Sequence, residues 1–330
     1  MKTVMVTGAA GFLGSHLVRH HLNVGDEVWG IDDFTSSDPN SKHLSALHEH
    51  PQFMFTEQNI IEGKFMPPRR LTGDVSLVYN MACPASPPIY QDMPVHTLLT
   101  CTQGVANVLE YASRHGAVVV HASTSEVYGD PDVSPQRETY RGNVNSYGPR
   151  SCYDEGKRAA EALCYDYHKM HDVDVRLVRI FNTYGPHMDS HDGRVVSNFV
   201  RQAIQHEKLT IYGDGMQGRS FCYVDDLVRG IVAMGELKSN PRTPINLGNP
   251  NEFTVLNLAE MVLKRIYGDS ILPRFGISDP NMVENRLLPI DDPTQRCPDI
   301  SLARTILNWE PKIQLAEGLE KTIEYFKSVL

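Results

Sequence analysis

The stretch Val4-Met-Val-Thr7-Gly8-Ala-Ala-Gly11-Phe12-Leu13-Gly14 decides the fold. Residues 4–7 are a short apolar run of the kind that makes a strand buried within a parallel sheet. Residues 15–22 come next with helical periodicity, so Gly8, Gly11 and Gly14 occupy a strand-to-helix turn. There the glycines let the backbone approach a pyrophosphate, whose charge the amino end of the helix stabilises. A glycine-rich turn without a ligand is the alternative; the strand and helix around it, and an acidic pair after the next strand, argue against that. Residues 27–31 read as this second strand, ending at Asp32-Asp33. A carboxylate at that place accepts hydrogen bonds from an adenosine ribose and repels a 2′-phosphate, which favours NAD over NADP. Asp33 reads as a second contact or as a turn residue.

Working outward, 53–55, 75–79, 118–121 and 175–180 look like further strands, with helices at 98–114 and 150–170 between them. Strands alternating with helices imply an α/β protein with a doubly wound, Rossmann-type parallel sheet. Past about residue 180 the elements shorten and Gly, Pro and Asn punctuate them more heavily. Residues 224–234, 255–266 and 315–330 read as amphipathic helices and 245–247 as a strand. The expected organisation is an NAD-binding domain at 1–180, with segments near 219–250 packing back on it. A smaller substrate-binding lobe at 181–330 then covers the carboxyl ends of the strands, where open α/β sheets take their ligands.

Composition narrows the function. The chain has 330 residues, 41% hydrophobic and 22% charged, ordinary values for a globular enzyme. Its formal charge of −9 argues against a broad nucleic-acid surface. No apolar run approaches the ~20 residues of a membrane helix, and a first strand at Thr3 leaves no room for a signal peptide. The six cysteines (83, 101, 152, 164, 222 and 297) have no paired or metal-like spacing and read as reduced thiols. His20, His21, His48 and His50 lack partners at metal spacing, so no metal is expected and they read as solvated. A cytoplasmic location is the expectation.

Chemistry concentrates in two places. Ser123-Thr124-Ser125-Glu126 sets hydroxyls and a carboxylate beside the end of a strand. Tyr153 and Lys157 share one face of a helix, four residues apart. A phenol beside an ammonium is a general base for a carbinol proton. Positive charge from Lys157 and an oxidised nicotinamide is expected to lower its pKa. Lys157 is also placed to bridge the nicotinamide ribose.

The block Ala122-Ser-Thr-Ser-Glu-Val-Tyr-Gly-Asp-Pro131, the run from Asn145 to Lys157, and Arg179-Ile-Phe-Asn-Thr-Tyr-Gly-Pro186 resemble the extended short-chain dehydrogenase/reductases. Within them the chain most resembles the UDP-glucuronate decarboxylases (UDP-xylose synthases). Pro84-Ala-Ser-Pro-Pro88, Asp192-Gly-Arg-Val-Val-Ser-Asn198, Arg219-Ser-Phe-Cys-Tyr-Val224 and Asp291-Asp-Pro-Thr-Gln-Arg296 extend the likeness through almost the whole chain. The resemblance implies an NAD site formed by Gly8, Gly11, Phe12, Leu13, Gly14, Asp32, Asp33, Asn59, Ile60, Ala82, Thr100, Ser123, Tyr153 and Lys157. It implies a UDP-sugar site formed by Pro88, Tyr90, Asn182, Arg194, Val195, Tyr212, Arg219 and Arg296, with Arg219 on the diphosphate. Tyr90 reads equally well as a packing residue.

The implied reaction oxidises the C4 alcohol of UDP-glucuronate, loses the C6 carboxylate as carbon dioxide from the resulting β-keto acid, and reduces the ketone to UDP-xylose. Thr124, Ser125 and Glu126 border the reacting carbons and Arg296 steers the carboxylate. Glu126 either offsets the arginine's pull, relays protons, or is a structural ion pair. The alternatives are a nucleotide-sugar 4-epimerase, a decarboxylase that releases the 4-keto pentose, and an inactive NAD-binding relative. Ser125-Glu126 stands where 4,6-dehydratases usually carry Asp-Glu, which disfavours them. The chain departs from the decarboxylases at Leu99, usually lysine, at Cys101, usually Asn, and at Asn59, usually Asp; loss of the lysine predicts a missing positive group near the substrate. In this superfamily helices 98–114 and 150–170 pair with their copies, which implies a homodimer.

Overall fold

The computed structural model describes residues 1–269 and 280–330. Its main sheet contains β1 (Thr3–Thr7), β2 (Glu27–Asp32), β3 (Phe53–Glu57), β4 (Val75–Asn80), β5 (Val118–Thr124) and β6 (Val175–Ile180), with a seventh strand at Ile245–Leu247. The order is strand 245–247, β6, β5, β4, β1, β2, β3, and every pairing is parallel. That is the doubly wound arrangement, and strand 245–247 from the second half of the chain extends it beside β6.

Alternation along the strands divides the core. Val4 and Val6 face one side, with Leu17 and Val18 of α1 (Phe12–Asn23) and the helix Val224–Glu236. Met5 faces the other, with Val108 and Leu109 of α5 (Val105–His115) and Ala160 of α6 (Ser151–His171). Both faces are covered, which is why β1 is buried at all five positions. The remaining helices of the first half are α2 (Lys42–His48), α3 (Pro87–Asp92) and α4 (Pro94–Leu99).

Two expectations need correction. The continuous helix expected at 98–114 is α4 and α5 joined by a π-helical turn at Thr100–Gly104. Thr100 and Thr102 each donate a side-chain hydrogen bond to the carbonyl four residues back, at 2.8 Å. Such back-bonding competes with the helical ladder; a hydrophobic period cannot register one extra residue per turn. His21 is not solvated: it is 1% exposed, with Nδ1 2.9 Å from Asp26 and Nε2 3.2 Å from the Tyr79 hydroxyl.

In the second half, strand Gly218–Ser220 pairs antiparallel with Glu252–Thr254 and parallel with Gln295–Arg296. This register sets Arg219 directly beside Arg296. Two like charges on neighbouring strands need compensating carboxylates, and the active-site cavity supplies them.

Candidate active site

The carboxyl ends of β1, β4, β5 and β6 open into one cavity of about 1080 Å³, roofed by segments from the second half. Every site residue expected from the sequence lines it.

At the β1–α1 turn, Gly8 has φ +70°, and a Cβ there would sit 2.8 Å from the Ala82 nitrogen; a Cβ on Gly14 would overlap the Gly8 carbonyl oxygen. Only glycine allows this close approach. Asp32 closes β2 and accepts hydrogen bonds from the Ala10 amide at 3.0 Å, the Phe34 amide at 2.9 Å and the Ser37 hydroxyl at 2.9 Å. Burial pushes its carboxyl up, and those donors oppose the shift. Asp33 accepts from the Thr35 amide at 3.0 Å and so serves the turn. Asn59 caps a short helical turn by accepting from the Ile61 amide at 2.8 Å; Ile60 and Ala82 line the wall beside it. Two expected contacts have their hydroxyls engaged elsewhere. Ser123 donates to Glu161, itself held by Arg179, and Thr100 donates to the His96 carbonyl. The glycine cradle and the buried ribose-side carboxylate fit an NAD dinucleotide.

Further in, α6 carries Tyr153 and Lys157 one turn apart. The Lys157 ammonium lies 5.8 Å from the centre of the Tyr153 ring and donates to the Ala122 carbonyl at 2.8 Å. Tyr90 of α3 stacks flat on Tyr153, with centroids 4.9 Å apart and planes 4° apart. Its hydroxyl is buried with no partner among the described residues. The expected lowering of the Tyr153 pKa is not what this structure gives. Burial, then the neighbouring Cys83, push the phenol well above its ordinary value, and the Thr124 hydrogen bond only partly opposes them.

Opposite the phenol, β5 ends at Thr124, whose hydroxyl accepts from the Glu126 amide at 3.2 Å and starts a helical turn over Ser125–Tyr128. That turn aims Glu126 at two arginines. Arg150 Nη2 lies 2.5 Å and Arg296 Nη2 3.1 Å from the same carboxylate oxygen, with Arg296 also donating to the Ser125 carbonyl. Burial pushes Glu126 up, but Arg296, Arg150 and Arg219 together hold it below its ordinary value. Arg150 also pairs with Asp292 at 3.2 Å, and Arg219 meets the other oxygen of Asp292 at 2.9 Å.

The sequence reading missed Arg150 and Asp292. Arg150 stands three residues before Tyr153, a spacing that puts them on one helical face and offered a usable signal. Arg194 is held bidentately by Asp192, at 2.6 and 2.7 Å. Pro88, Asn182, Val195 and Tyr212 line the substrate side, and Tyr212 is half-exposed. Leu99 is 43% exposed and does not line the cavity, although its neighbour Thr100 does. Cys101 is buried with its sulfur 3.3 Å from that of Cys83; close in space as these two are, all six cysteines are free thiols.

The chain is similar to known proteins along nearly its whole length. The chain is 48% identical to UDP-glucuronic acid decarboxylase 1 of Arabidopsis thaliana over 98% of its length and 70% of the relative's. It is 46% identical to UDP-glucuronic acid decarboxylase 1 of Xenopus tropicalis, over 100% of its length and 73% of the relative's. The crystal structure of UDP-glucuronic acid 4-epimerase from Bacillus cereus, in complex with UDP-glucuronic acid and NAD, is similar with a TM-score of 0.83 and 29% identity. That match covers 99% of this chain and 100% of the other. Residues 4–248 match the model of one family. The chain belongs to the NAD dependent epimerase/dehydratase family.

Proposed function

We propose that this chain decarboxylates UDP-glucuronate to UDP-xylose, with NAD as a resident cofactor. One observation carries the reading: a half-buried carboxylate, Glu126, is held between Arg150 and Arg296 in the same cavity as the Tyr153–Lys157 pair. The relatives named UDP-glucuronic acid decarboxylase, matched over nearly the whole chain, point the same way.

NAD would be held by the glycine turn and Asp32 and would supply a hydride acceptor and donor for the sugar's C4. The chain's own residues do the rest. Tyr153 takes the proton of the C4 hydroxyl, and Lys157 adds positive potential that opposes the upward pull of burial. Oxidation at C4 makes the C6 carboxylate β to a ketone, so carbon dioxide leaves with its electron pair delocalised onto the C4 oxygen. Tyr153 and Thr124 are assigned as donors to that oxygen. Arg296 orients the departing carboxylate. Glu126 neutralises part of its charge, because a tight grip would stabilise the ground state and slow departure. Arg219 is assigned to the diphosphate, a role that requires it to give up part of its hold on Asp292. Arg194 lines the same cavity.

Two copies are proposed to pair through α4–α5 and α6, on which Val95, Leu98, Leu99, Tyr165 and Met170 are exposed. The free thiols fit a reducing compartment, and the cytoplasm is the proposed one. The second reading is a 4-epimerase, favoured by the solved structure that carries UDP-glucuronic acid. Proton NMR of the products formed from UDP-glucuronate separates the two. UDP-xylose is expected; UDP-galacturonate would replace the proposal with epimerisation.

A further inference from the structure

We propose that Cys83 and Cys101 form a reversible oxidation site: hydrogen peroxide joins them in a disulfide that displaces the cavity wall and switches the enzyme off. The inference goes beyond the decarboxylation reading, and the bond it calls for forms or fails to form whatever the substrate.

Placement carries it. Cys83 follows β4 and lines the cavity beside Ala82, half-buried. Cys101 comes 18 positions later, buried in the π-helical turn at Thr100–Gly104 and outside the cavity wall. The two sulfurs are 3.3 Å apart and share a hydrogen bond. A disulfide holds its sulfurs at about 2 Å, so an approach of about 1 Å makes the bond. Cys152, Cys222 and Cys297 donate instead to backbone carbonyls.

Packing decides which sulfur moves. Cys101 is fixed against α6, where a Cβ added to Gly156 would meet the Cys101 Cβ at 3.0 Å and its sulfur at 3.3 Å. Cys83 belongs to the loop between β4 and α3, and it gives way. That loop forms the wall of the site on both sides of Cys83. Before it, the Ala82 backbone packs on Gly8, where an added Cβ would lie 2.8 Å from the Ala82 nitrogen. After it, the Ser86 hydroxyl donates to the Asp192 carbonyl, and α3 lays Tyr90 flat on Tyr153. Drawing Cys83 toward the π-helical turn therefore shifts the nucleotide wall together with the stacking partner of the phenol. A misplacement of about 1 Å in catalytic geometry can cost about 100-fold in rate.

The sulfurs divide the work. Burial, then the hydrogen bond with Cys101, push Cys83 well up, while the hydrogen bond with Cys83 holds Cys101 below its ordinary value. The Lys157 ammonium draws both down, so the pair gives up one proton more readily than a lone buried thiol. Peroxide arrives through the cavity and meets Cys83, whose proton passes across the contact to Cys101. The Cys83 sulfur attacks one peroxide oxygen; an S–O bond forms as the O–O bond breaks, and water leaves a sulfenic acid behind. The Cys101 sulfur then attacks the Cys83 sulfur; the S–S bond forms as the S–O bond breaks, and a second water leaves. Two thiols lose two electrons, and one peroxide takes them up as two waters.

The test exposes the NAD-loaded full chain to excess hydrogen peroxide and digests it under non-reducing conditions for peptide mass spectrometry. A peptide pair joining Cys83 to Cys101, separated again by dithiothreitol, is expected. Turnover of UDP-glucuronate should fall by about 10–100-fold as the bond forms and return with dithiothreitol. The oxidised chain should also lose NAD on gel filtration that the reduced chain keeps. Cys101→Ser should start near wild-type turnover, because Cys101 is outside the cavity wall, and should hold that turnover in peroxide.

Cys83 and Cys101 recovered on separate peptides overturn the inference, and so does a bond from either one to Cys152. A bond that forms while turnover and NAD retention both stay unchanged overturns the switch. Loss of turnover that Cys101→Ser shares, or that dithiothreitol does not restore, places the damage elsewhere and overturns it too. If Cys101→Ser does not fold, the wild type decides through the bond and its reversal. A chain that releases no carbon dioxide before treatment sinks the decarboxylation reading alone, and the bond and NAD retention still decide this one.

Discussion

Replacing Glu126 by Gln removes one negative charge from a buried cluster and leaves its shape almost unchanged. The cluster then holds Arg150, Arg219 and Arg296 against Asp154 and Asp292. Removing one partner of a buried ion pair usually costs about 3–5 kcal/mol. Here the cost should be smaller, because Arg150 keeps two carboxylates and Asp154, freed of its like-charged neighbour, ionises more readily. The fold therefore survives and the effect falls on chemistry. Losing a preorganised charge that acts on the transition state lowers turnover by about 10²–10³, or roughly 3–4 kcal/mol of barrier. KM should stay level or fall, since an unopposed Arg296 grips the substrate carboxylate more tightly; lower kcat with lower KM is the signature of lost ground-state strain. Steady-state kinetics on UDP-glucuronate, with a thermal melt to confirm folding, make the assay. A kcat within about threefold of wild type would remove Glu126 from the mechanism.

Tyr153→Phe should abolish transient reduced-nicotinamide absorbance while leaving UDP-glucuronate binding intact; a remaining transient would assign the base elsewhere. Tyr90→Phe should change stability by less than ~1 kcal/mol, since the lost hydroxyl has no hydrogen-bond partner among the described residues, whereas Tyr90→Ala should cost about 3–5 kcal/mol. A destabilising Phe variant in a chemical-denaturation series would show that the hydroxyl has a partner. Burial and then Arg19 push His43 down to about 4, and likewise His187 down to about 3. A base with a depressed folded pKa contributes stability above its unfolded value of ~6.5 and loses it as pH falls. Melting temperature should therefore drop between about pH 6.5 and 4, less steeply in His187→Asn; equal slopes would contradict this.

What the sequence disclosed was local. The glycine turn, Asp32 at the end of β2 and the Tyr153–Lys157 spacing each occupy a few consecutive residues, and their positions are set by strand and helix geometry. The edge strand at 245–247 was also legible, as Ile-Asn-Leu flanked by Pro and Gly turn signals. The charge cluster was legible only in part, because its pairings join distant segments: Glu126 and Arg296 are 170 positions apart. Arg219 and Arg296 become neighbours only through a strand register. Asp154 carried no mark in sequence, since its state depends on burial and on Glu126. His21 was misread for a related reason: one face of α1 buries it against Asp26 and Tyr79. The upward push of burial on the Tyr153 phenol was not legible either, because a sequence shows the nearby cations and not the burial.

UDP-glucuronate labelled at its carboxyl carbon tests the central claim most directly. The account predicts that the label appears as carbon dioxide or bicarbonate in step with an unlabelled UDP-pentose. Label that stays on a six-carbon product, with none in the gas phase, would contradict it.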